Sequence, residues 1–355
     1  MIVKIRQLLL LLLFPAITYG QYHLTGRVTD ILSHKPVENA SVFLSNTSAA
    51  ARTNDDGGFN ILNVRPGHYD LVVSIVGYVT YHQEINVNAD VVDLKLMIEA
   101  KNTELKEVKI GPDADWDLNY RRFKIQFIGT SENAGEVKIL NPQVLSLHYD
   151  VNKHELAASS YDFMEIENKA LGYKVKYLLA NLTATEFSFG QMSLYYEGSP
   201  FFEDMPGKPS EIRRWKKKRQ EVYLGSQMHF LRAVIADKVA ADGFEVRRLI
   251  RKPNPDYPSN SSNKYIETLV NKPLGRNDYV KRTDQPGQYA LTFDDVLYVT
   301  YKGDAKTTTI TFAEPYAFFD TNGIIINPHS AVTEGSWGRD RMAEMLPFDY
   351  EPKPL

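Results

Sequence analysis

The sequence has 355 residues, a net charge of −3 and 24% charged residues, which is enough chain for two domains of ordinary size. This near-neutral charge excludes the strong global attraction to nucleic acid or an anionic membrane that a basic protein shows. The absence of cysteine excludes disulfides, thiolate metal sites and a lipid anchor on cysteine. The domains must therefore be stabilised by packing alone.

The start of the chain has the pattern of a secretory signal peptide over residues 1–20. Lys4 and Arg6 precede an uncharged run over residues 8–14, and small residues lie just before Gln21. The apolar run is too short to span a bilayer, and no later segment reaches the ~20 apolar residues of a membrane helix. We therefore expect an exported mature chain without a transmembrane segment, located in the periplasm or on the outer membrane and cell surface.

Seven short strands are predicted between residues 23 and 99. Apolar side chains alternate with polar ones, so that one face of the central strand carries Tyr69, Leu71, Val73 and Ile75. Turn chemistry separates the strands, with Asp55–Gly58 before one strand and Pro66-Gly67 before another. This repeated period of two is typical of an antiparallel β-sandwich.

Five short motifs occur in order along these strands: GRVTD, PVENASV, TNDDGGFNI, RPGHYDL and VGY. Together they resemble the carboxypeptidase regulatory-like domain over roughly residues 22–100. The resemblance implies a transthyretin-like sandwich at residues 21–100, of the kind found at the N-terminus of envelope proteins of the Bacteroidetes group. It also implies an accessory module without catalytic residues of its own.

The segment after this module, TELKEV at residues 103–108, is similar to the corresponding segment of TonB-dependent receptors. Such a receptor needs about 22 transmembrane strands of about ten residues each, which the remaining chain is too short to supply. We therefore expect no receptor of this type. The polar run at residues 111–115 predicts a linker over residues 101–115.

Residues 116–355 are predicted to form an α+β domain with a mostly antiparallel sheet. A core-facing aromatic stripe at helical spacing predicts a first helix with Trp116, Tyr120, Phe123 and Phe127. Ser210 and Ser226 are expected to cap two further helices, the second ending at Gly243. The segments KILNPQVL, EIENKALGYKVKYLL and WGRDRMAEMLPFDY look like the second half of uncharacterised Bacteroidetes proteins with the same N-terminal module. That resemblance implies no activity.

The strongest local charge feature is a basic patch of six cations and one indole: Arg213, Arg214, Trp215, Lys216, Lys217, Lys218 and Arg219. One interpretation is a surface that binds an anionic partner, such as lipid head groups in a peripheral membrane contact or an acidic glycan. The other interpretation is a solvated helix face with Trp215 and Ile212 turned to the core. Because the chain is expected to be exported, we expect no nucleic-acid partner.

Motifs for catalysis and metal binding are weak. Ser226 and His229 lie three residues apart, which is compatible with a nucleophile and a base. The strand–turn–helix motif of a G-x-S-x-G nucleophile is missing, however, and a helix cap accounts for the presence of Ser226. His148 and His154 flank one predicted hairpin, yet no third metal ligand is visible. No phosphate-binding loop or dinucleotide fingerprint occurs. We therefore assign no catalytic residue, no metal ligand and no cofactor.

Two functional hypotheses remain. The first is a secreted interaction protein of the cell envelope that binds a protein or glycan partner and has no catalytic activity of its own. The second is an envelope hydrolase whose active site is assembled from dispersed residues of the C-terminal domain, with the sandwich as an accessory module. A deep pocket in residues 116–350 lined by converging acids, or by His229 with a carboxylate, would favour the hydrolase, and a filled interior with an exposed groove or basic patch would favour binding.

Overall fold

The computed structural model describes residues 21–101, 115–187, 192–257 and 263–352. The predicted signal peptide and residues 102–114 of the predicted linker lie outside the described residues. None of the described helices has the length and apolar character that crossing a bilayer requires.

Seven strands form the N-terminal sandwich, as predicted: β1 (Tyr22–Asp30), β2 (Ser41–Leu44), β3 (Ala50–Arg52), β4 (Gly58–Val64), β5 (Gly67–Ser74), β6 (Tyr81–Val87) and β7 (Val91–Ile98). They pair in two sheets, with the strand orders β4-β1-β7 and β3-β2-β5-β6. Only β1 and β7 pair in parallel, and the other neighbours among these seven strands are antiparallel.

The core of the sandwich follows the predicted alternation, with Leu71 and Val73 of β5 fully buried. The alternation in VDLKLMIE, residues 92–99, predicts that Val92 shares a buried face with Leu94, Leu96 and Ile98, and this is wrong for Val92, which is 63% exposed. The next residue, Asp93, has φ 57°, and the pairing of β7 with β1 shifts at this point. Such an irregularity turns the preceding side chain away from the face that the period of two assigns to it.

A six-stranded antiparallel sheet follows, made of β8 (Val137–Ile139), β9 (Leu145–Asp150), β10 (Glu155–Ser160), β11 (Met164–Asn168), β12 (Tyr173–Glu186) and β13 (Met192–Asp204). Helix α1 (Trp116–Phe127) packs its predicted aromatic stripe on this sheet. Phe123 and Phe127 are fully buried, and the Phe127 ring meets the Tyr177 ring edge-on at 5.0 Å. The predicted first helix is therefore confirmed.

Two further antiparallel sheets complete the chain. The five-stranded sheet has the order β15-β14-β18-β19-β21, from β14 (Phe244–Pro253), β15 (Tyr265–Pro273), β18 (Val296–Tyr301), β19 (Lys306–Phe312) and β21 (Ala331–Gly335). The three-stranded sheet has the order β16-β17-β20, from β16 (Val280–Arg282), β17 (Gln288–Leu291) and β20 (Ala317–Asp320). The helices are α2 (Pro209–Tyr223), α3 (Gln227–Ile235), α4 (Arg276–Tyr279) and α5 (Ser336–Arg339). The predicted fold class, a sandwich followed by an α+β region with mostly antiparallel pairing, is confirmed.

One of the two predicted helix caps is wrong. Ser226 caps α3 as predicted, because its hydroxyl accepts the backbone N–H of His229 at 3.2 Å. Helix α2 instead begins at Pro209, one residue earlier than the predicted cap Ser210. Proline suits the first helical position, since its missing N–H would have had no partner there.

The predicted end of α3 at Gly243 is also wrong, because the helix stops at Ile235. Asp237 takes a left-handed conformation with φ 55°, and the N–H of Lys238 donates to the Ala233 carbonyl at 2.8 Å. This is the Schellman arrangement that ends helices. This helix end is not visible in the sequence, because aspartate and not glycine occupies the left-handed position.

A buried polar turn of the C-terminal region contacts one end of the sandwich. Asp320 and Asn322, at the end of β20 and in the turn after it, are only 4% and 2% exposed. The Asn322 amide donates to the Tyr69 hydroxyl at 3.0 Å and to the Asp320 carboxylate at 3.1 Å. The same carboxylate accepts the N–H of His68 at 3.3 Å. Glycine is required at Gly67, since a Cβ there would lie 2.2 Å from the Asn322 amide nitrogen.

The C-terminal segment, residues 347–351, lies beside this turn and also contacts the sandwich. The Ser48 hydroxyl donates to the Asp349 carboxylate at 2.6 Å. Arg232 of α3 donates to three backbone carbonyls at 2.8 Å each, those of Asn322, Phe348 and Tyr350. One partly buried guanidinium therefore links α3, the polar turn and the C-terminal segment.

Candidate functional site

The two faces of the five-stranded sheet differ sharply in chemistry. Alternation along β14, β18 and β19 turns Val246, Val299 and Ile310 into the core shared with α3. The opposite face carries polar side chains. Strand register places Tyr298, Thr309 and Glu334 side by side across β18, β19 and β21.

These polar side chains line an open groove of about 240 Å³, the candidate ligand groove. The side chains that face it are Arg251, Tyr298, Thr307, Thr309 and Glu334. Gly335 lies at one end of the groove and has φ 91°. A Cβ at this position would lie 2.4 Å from the Thr307 carbonyl oxygen. Only glycine allows β21 to approach β19 this closely.

Arg251 forms two ion pairs at the groove. Its side chain is 16% exposed, and Nε donates to Glu267 at 2.7 Å while a terminal nitrogen lies 2.8 Å from the Glu334 carboxylate. Burial opposes the positive charge, but hydrogen bonding and attraction to Glu334 and Glu267 outweigh it, so the pKa of Arg251 lies above its usual value. The Thr309 hydroxyl donates to the same Glu334 carboxylate at 3.2 Å. The groove thus holds its polar groups in fixed positions.

Other polar groups on this face have no protein partner among the described residues. The Tyr298 and Thr307 hydroxyls make no hydrogen bond there, although both side chains are only partly exposed. Thr311 Oγ1 and Arg247 Nε are buried without a hydrogen-bond partner. The Tyr298 and Thr307 hydroxyls therefore keep their hydrogen-bonding capacity in the groove.

The predicted basic patch lies on α2, and part of it serves packing. Trp215 is 5% exposed and its indole N–H donates to the Lys169 carbonyl at 2.8 Å. Arg219 donates to the Leu171 carbonyl at 2.6 Å, and its guanidinium lies 3.6 Å from the centre of the Tyr173 ring. These two side chains hold α2 against the six-stranded sheet and are not free for a partner.

The remaining cations of the patch are exposed to different degrees. Ion pairs join Arg214 to Glu136, Lys217 to Glu221 and Lys218 to both Glu132 and Glu221. Arg213 and Lys216 are exposed and have no partner in the described part of the chain. Ile212, expected in the core, is 37% exposed. The patch as a partner-binding surface stays a prediction.

Ser226 and His229 do not form a nucleophile and base. The Ser226 hydroxyl accepts a backbone N–H, as described above, and His229 Nδ1 accepts the N–H of Gly225 at 3.1 Å. The imidazole packs on the Phe244 ring at 4.9 Å between centroids. Burial lowers the pKa of His229, although nearby Asp242 opposes this shift. The pair serves helix capping and packing.

His148 and His154 lie on and beside the hairpin of β9 and β10, where His148 is opposite Ala157. The described ranges contain no group of three or more histidine, aspartate or glutamate side chains that could hold a metal ion. The two histidines therefore do not gain a third ligand within those ranges.

Comparison with known families and structures concerns mainly the N-terminal part. Residues 24–110 match the sequence profile of the CarboxypepD_reg-like domain. The sandwich is a CarboxypepD_reg-like domain. Its two sheets agree with the fold implied by the five sequence motifs. Comparison with curated proteins found no match.

Several solved structures superpose on parts of the chain. A type II cohesin–X–dockerin complex from Acetivibrio cellulolyticus is 21% identical, with a TM-score of 0.21, over 22% of this chain and 58% of that one. A DUF3823 family protein from Bacteroides ovatus is 12% identical, with a TM-score of 0.19, over 53% and 83%. A putative carbohydrate binding protein from Bacteroides uniformis is 9% identical, with a TM-score of 0.17, over 52% and 100%. The chain thus spans little more than half of the cohesin complex chain that it matches.

The groove residues are absent from the sequence prediction. They lie on four strands, β14, β18, β19 and β21, and are brought together by sheet register across long stretches of chain. The one local signal is the run Thr307–Phe312, in which threonines alternate with a buried face. That pattern indicates a polar sheet face, but it does not identify the arginine and glutamate that lie beside it.

Proposed function

We propose that this protein is an exported binding protein of the cell envelope and that the candidate ligand groove holds a polyhydroxylated ligand, such as a glycan. The observation that carries this proposal is Arg251, fixed between Glu267 and Glu334 beside the unpaired hydroxyls of Tyr298 and Thr307. Export follows from the predicted signal peptide at residues 1–20, and the division into residues 21–100 and 116–355 follows from the sequence pattern.

The chemistry of the groove suits sugars. A sugar ring presents hydroxyls at its edge and C–H groups on its faces, so it needs fixed donors and acceptors together with a flat apolar surface. Arg251 and Glu334 supply charged donors and acceptors, and Thr309 holds the carboxylate in place. Tyr298 supplies an aromatic ring with a free hydroxyl. A groove of about 240 Å³ offers room for about one sugar unit, with neighbouring units in solvent.

Binding fits this geometry better than hydrolysis. The groove carboxylate, Glu334, and the neighbouring Glu267 both pair with the Arg251 guanidinium, which suits fixed recognition, whereas a hydrolase needs one carboxyl group free to transfer a proton. The Ser226 and His229 pair offers no alternative, because the backbone engages the Ser226 hydroxyl and His229 Nδ1. His229 Nε2 lies 3.8 Å from the Asp242 carboxylate, but the residue is only 7% exposed and its ring is packed between the rings of Tyr223 and Phe244. The sandwich then acts as the accessory module that the family resemblance implies.

A glycan microarray followed by calorimetry with the best oligosaccharide tests the proposal. The Tyr298→Ala variant should bind at least about tenfold more weakly than wild type, a loss of roughly 1.4 kcal/mol. Tyr316→Ala is the matched control, because Tyr316 is exposed in the loop before β20, outside the groove. An array without any hit, or equal affinity of wild type and Tyr298→Ala, would contradict binding at this groove.

A further inference from the structure

Strands β14 and β15 form a hairpin that extends beyond the rest of the five-stranded sheet. Strand β14 pairs with β18 only as far as Leu249, whereas its pairing with β15 continues to Pro253. The outer half of the hairpin, residues 250–253 and 265–268, is therefore a two-stranded ribbon. Two strands alone are only marginally stable in water, and a third strand stabilises them.

The outer edge of β15 is free to pair with such a strand. Strand β15 is the last strand of its sheet and has no neighbour on its other side among the described strands. Residues 265–268 and 271–273 are exposed. The opposite edge of the ribbon contains Pro253, which has no N–H to donate. A third strand is therefore expected at β15.

The register of the hairpin determines which backbone groups face the free edge. The N–H of Asn254 donates to the Lys264 carbonyl at 2.9 Å, so these two residues form a hydrogen-bonded pair. Hydrogen-bonded and non-hydrogen-bonded pairs alternate along an antiparallel ladder. Tyr265, Glu267 and Leu269 lie in the non-hydrogen-bonded pairs. Their N–H and C=O groups therefore point away from β14 and face the free edge.

The side chains of β15 separate onto two faces. Glu267 lies opposite Arg251 on the face of the candidate ligand groove, where the ion pair at 2.7 Å neutralises its charge. Alternation turns Ile266, Thr268 and Val270 to the other face. These three side chains are β-branched and uncharged, and Ile266 is 54% exposed. That face therefore suits pairing with another β-branched strand, which would cover Ile266.

A second copy of β15 is such a strand, and it matches the first about a two-fold axis at Thr268. Glu267 of each copy then exchanges both main-chain hydrogen bonds with the partner's Leu269. Ile266 lies opposite the partner's Val270, and the two threonines face each other on the axis. An axis at Glu267 would instead place two carboxylates directly opposite each other, which is unfavourable.

We infer that two copies of this protein associate through antiparallel pairing of their β15 strands, with Thr268 on the two-fold axis. The pairing joins the two five-stranded sheets into one continuous sheet. Because the axis is perpendicular to the sheet, the candidate ligand grooves of both copies open on the same side. A dimer therefore presents two grooves to one polymeric ligand. The dimer itself does not depend on the proposed glycan binding.

The size and charge of the interface predict how the dimer behaves. Only one strand of each copy is covered, so the association should be weak and reversible. At each end of the pairing Lys264 lies near the partner's Lys272, and both positions are exposed in the single chain. Like charges repel each other across a ladder, and salt screens this repulsion. The dimer should therefore become more stable as the salt concentration rises.

Sedimentation equilibrium of the whole protein from about 10 µM to about 1 mM tests this inference. Wild type should dimerise, and Thr268→Lys or Thr268→Glu alone should raise the dissociation constant at least about tenfold, because like charges then meet on the axis. An equimolar mixture of the two variants should recover the dimer, because opposite charges then meet. Ser146→Lys is the matched control on the edge strand β9 and should dimerise like wild type.

Hydrogen exchange on the wild-type protein makes the test independent of variant folding. The amides of Glu267 and Leu269 should exchange more slowly as the protein concentration rises. The inference is overturned if wild type stays monomeric over this range, if Thr268→Lys dimerises like wild type, or if the mixture does not recover the dimer. A monomer whose Glu267 amide is protected only by added envelope extract would assign the edge to another protein and would also overturn it.

Discussion

The side-chain amide of Asn322 donates to groups from both parts of the chain, the Tyr69 hydroxyl of the sandwich and the Asp320 carboxylate beside it. Burial raises the pKa of Asp320, and the hydrogen bonds from His68 and Asn322 oppose that shift. The buried carboxylate is therefore costly when ionised, and it relies on its donors. A neutral, protonated Asp320 would rely on them less.

We predict that Asn322→Ala lowers the free energy of unfolding by about 1–3 kcal/mol at about pH 7, because it removes one buried donor from the Tyr69 hydroxyl and from the Asp320 carboxylate. The loss should shrink as the pH falls through the folded-state pKa of Asp320. This pKa is raised, so the stability that the protonated carboxyl confers is present below the unfolded value of 3.8 and is lost as pH rises through the folded one.

Urea titrations of wild type and Asn322→Ala at several pH values measure this effect. The control is Asn152→Ala in the exposed turn after β9, which should change stability by less than about 0.5 kcal/mol. A loss that is the same at low and neutral pH would show that Asn322 does not support the ionised form of Asp320.

At the scale of elements, helix α2 separates residues that hold it in place from residues that face solvent. Gly172 takes φ 71°, and a Cβ there would lie 2.1 Å from the Trp215 ring, so the indole fills the space that this glycine leaves. The charged side chains between Trp215 and Arg219 face away from this contact. Sequence alone does not divide the patch in this way, because all seven residues look alike as a basic run.

We expect Trp215→Ala to destabilise the protein by about 3–5 kcal/mol, because it removes a buried aromatic side chain. Lys216→Ala, the neighbouring exposed position, should change stability by less than about 0.5 kcal/mol. Thermal and urea unfolding of both variants give the comparison. Equal stability of the two variants would mean that α2 is not held by its indole.

The elements that the sequence predicts are those whose signals are local. The strands of the sandwich follow from alternation and turn residues, and Ser226 acts as a cap because its hydroxyl needs only the next turn of its own helix. The end of α3 is predicted wrongly because Asp237 adopts the left-handed conformation that glycine usually adopts at a helix end. The ligand groove could not be predicted from the sequence for another reason. Arg251, Tyr298 and Glu334 are far apart in the chain and meet only through the register of the sheet.

At the scale of the whole molecule, the sandwich is fixed to the C-terminal region at one end. Polar contacts at His68, Tyr69 and Ser48 join it to the polar turn at the end of β20 and to the C-terminal segment. The backbone of residues 46 and 47 adds hydrogen bonds to the carbonyl of Pro200 and the N–H of Phe202, at 2.6 and 3.0 Å. One end of the sandwich is therefore held against the C-terminal region at several points.

This junction predicts that the sandwich and the C-terminal region unfold together. Gly67→Ala should separate them, because its Cβ would lie 2.2 Å from the Asn322 amide nitrogen and 2.9 Å from the Asp320 carboxylate. In calorimetry, wild type should show one cooperative transition, and Gly67→Ala should show a second transition at lower temperature. Gly135→Ala is the matched control, since a Cβ there meets no atom within 4 Å. One unchanged transition in both variants would mean that the junction tolerates the extra carbon and does not couple the two parts.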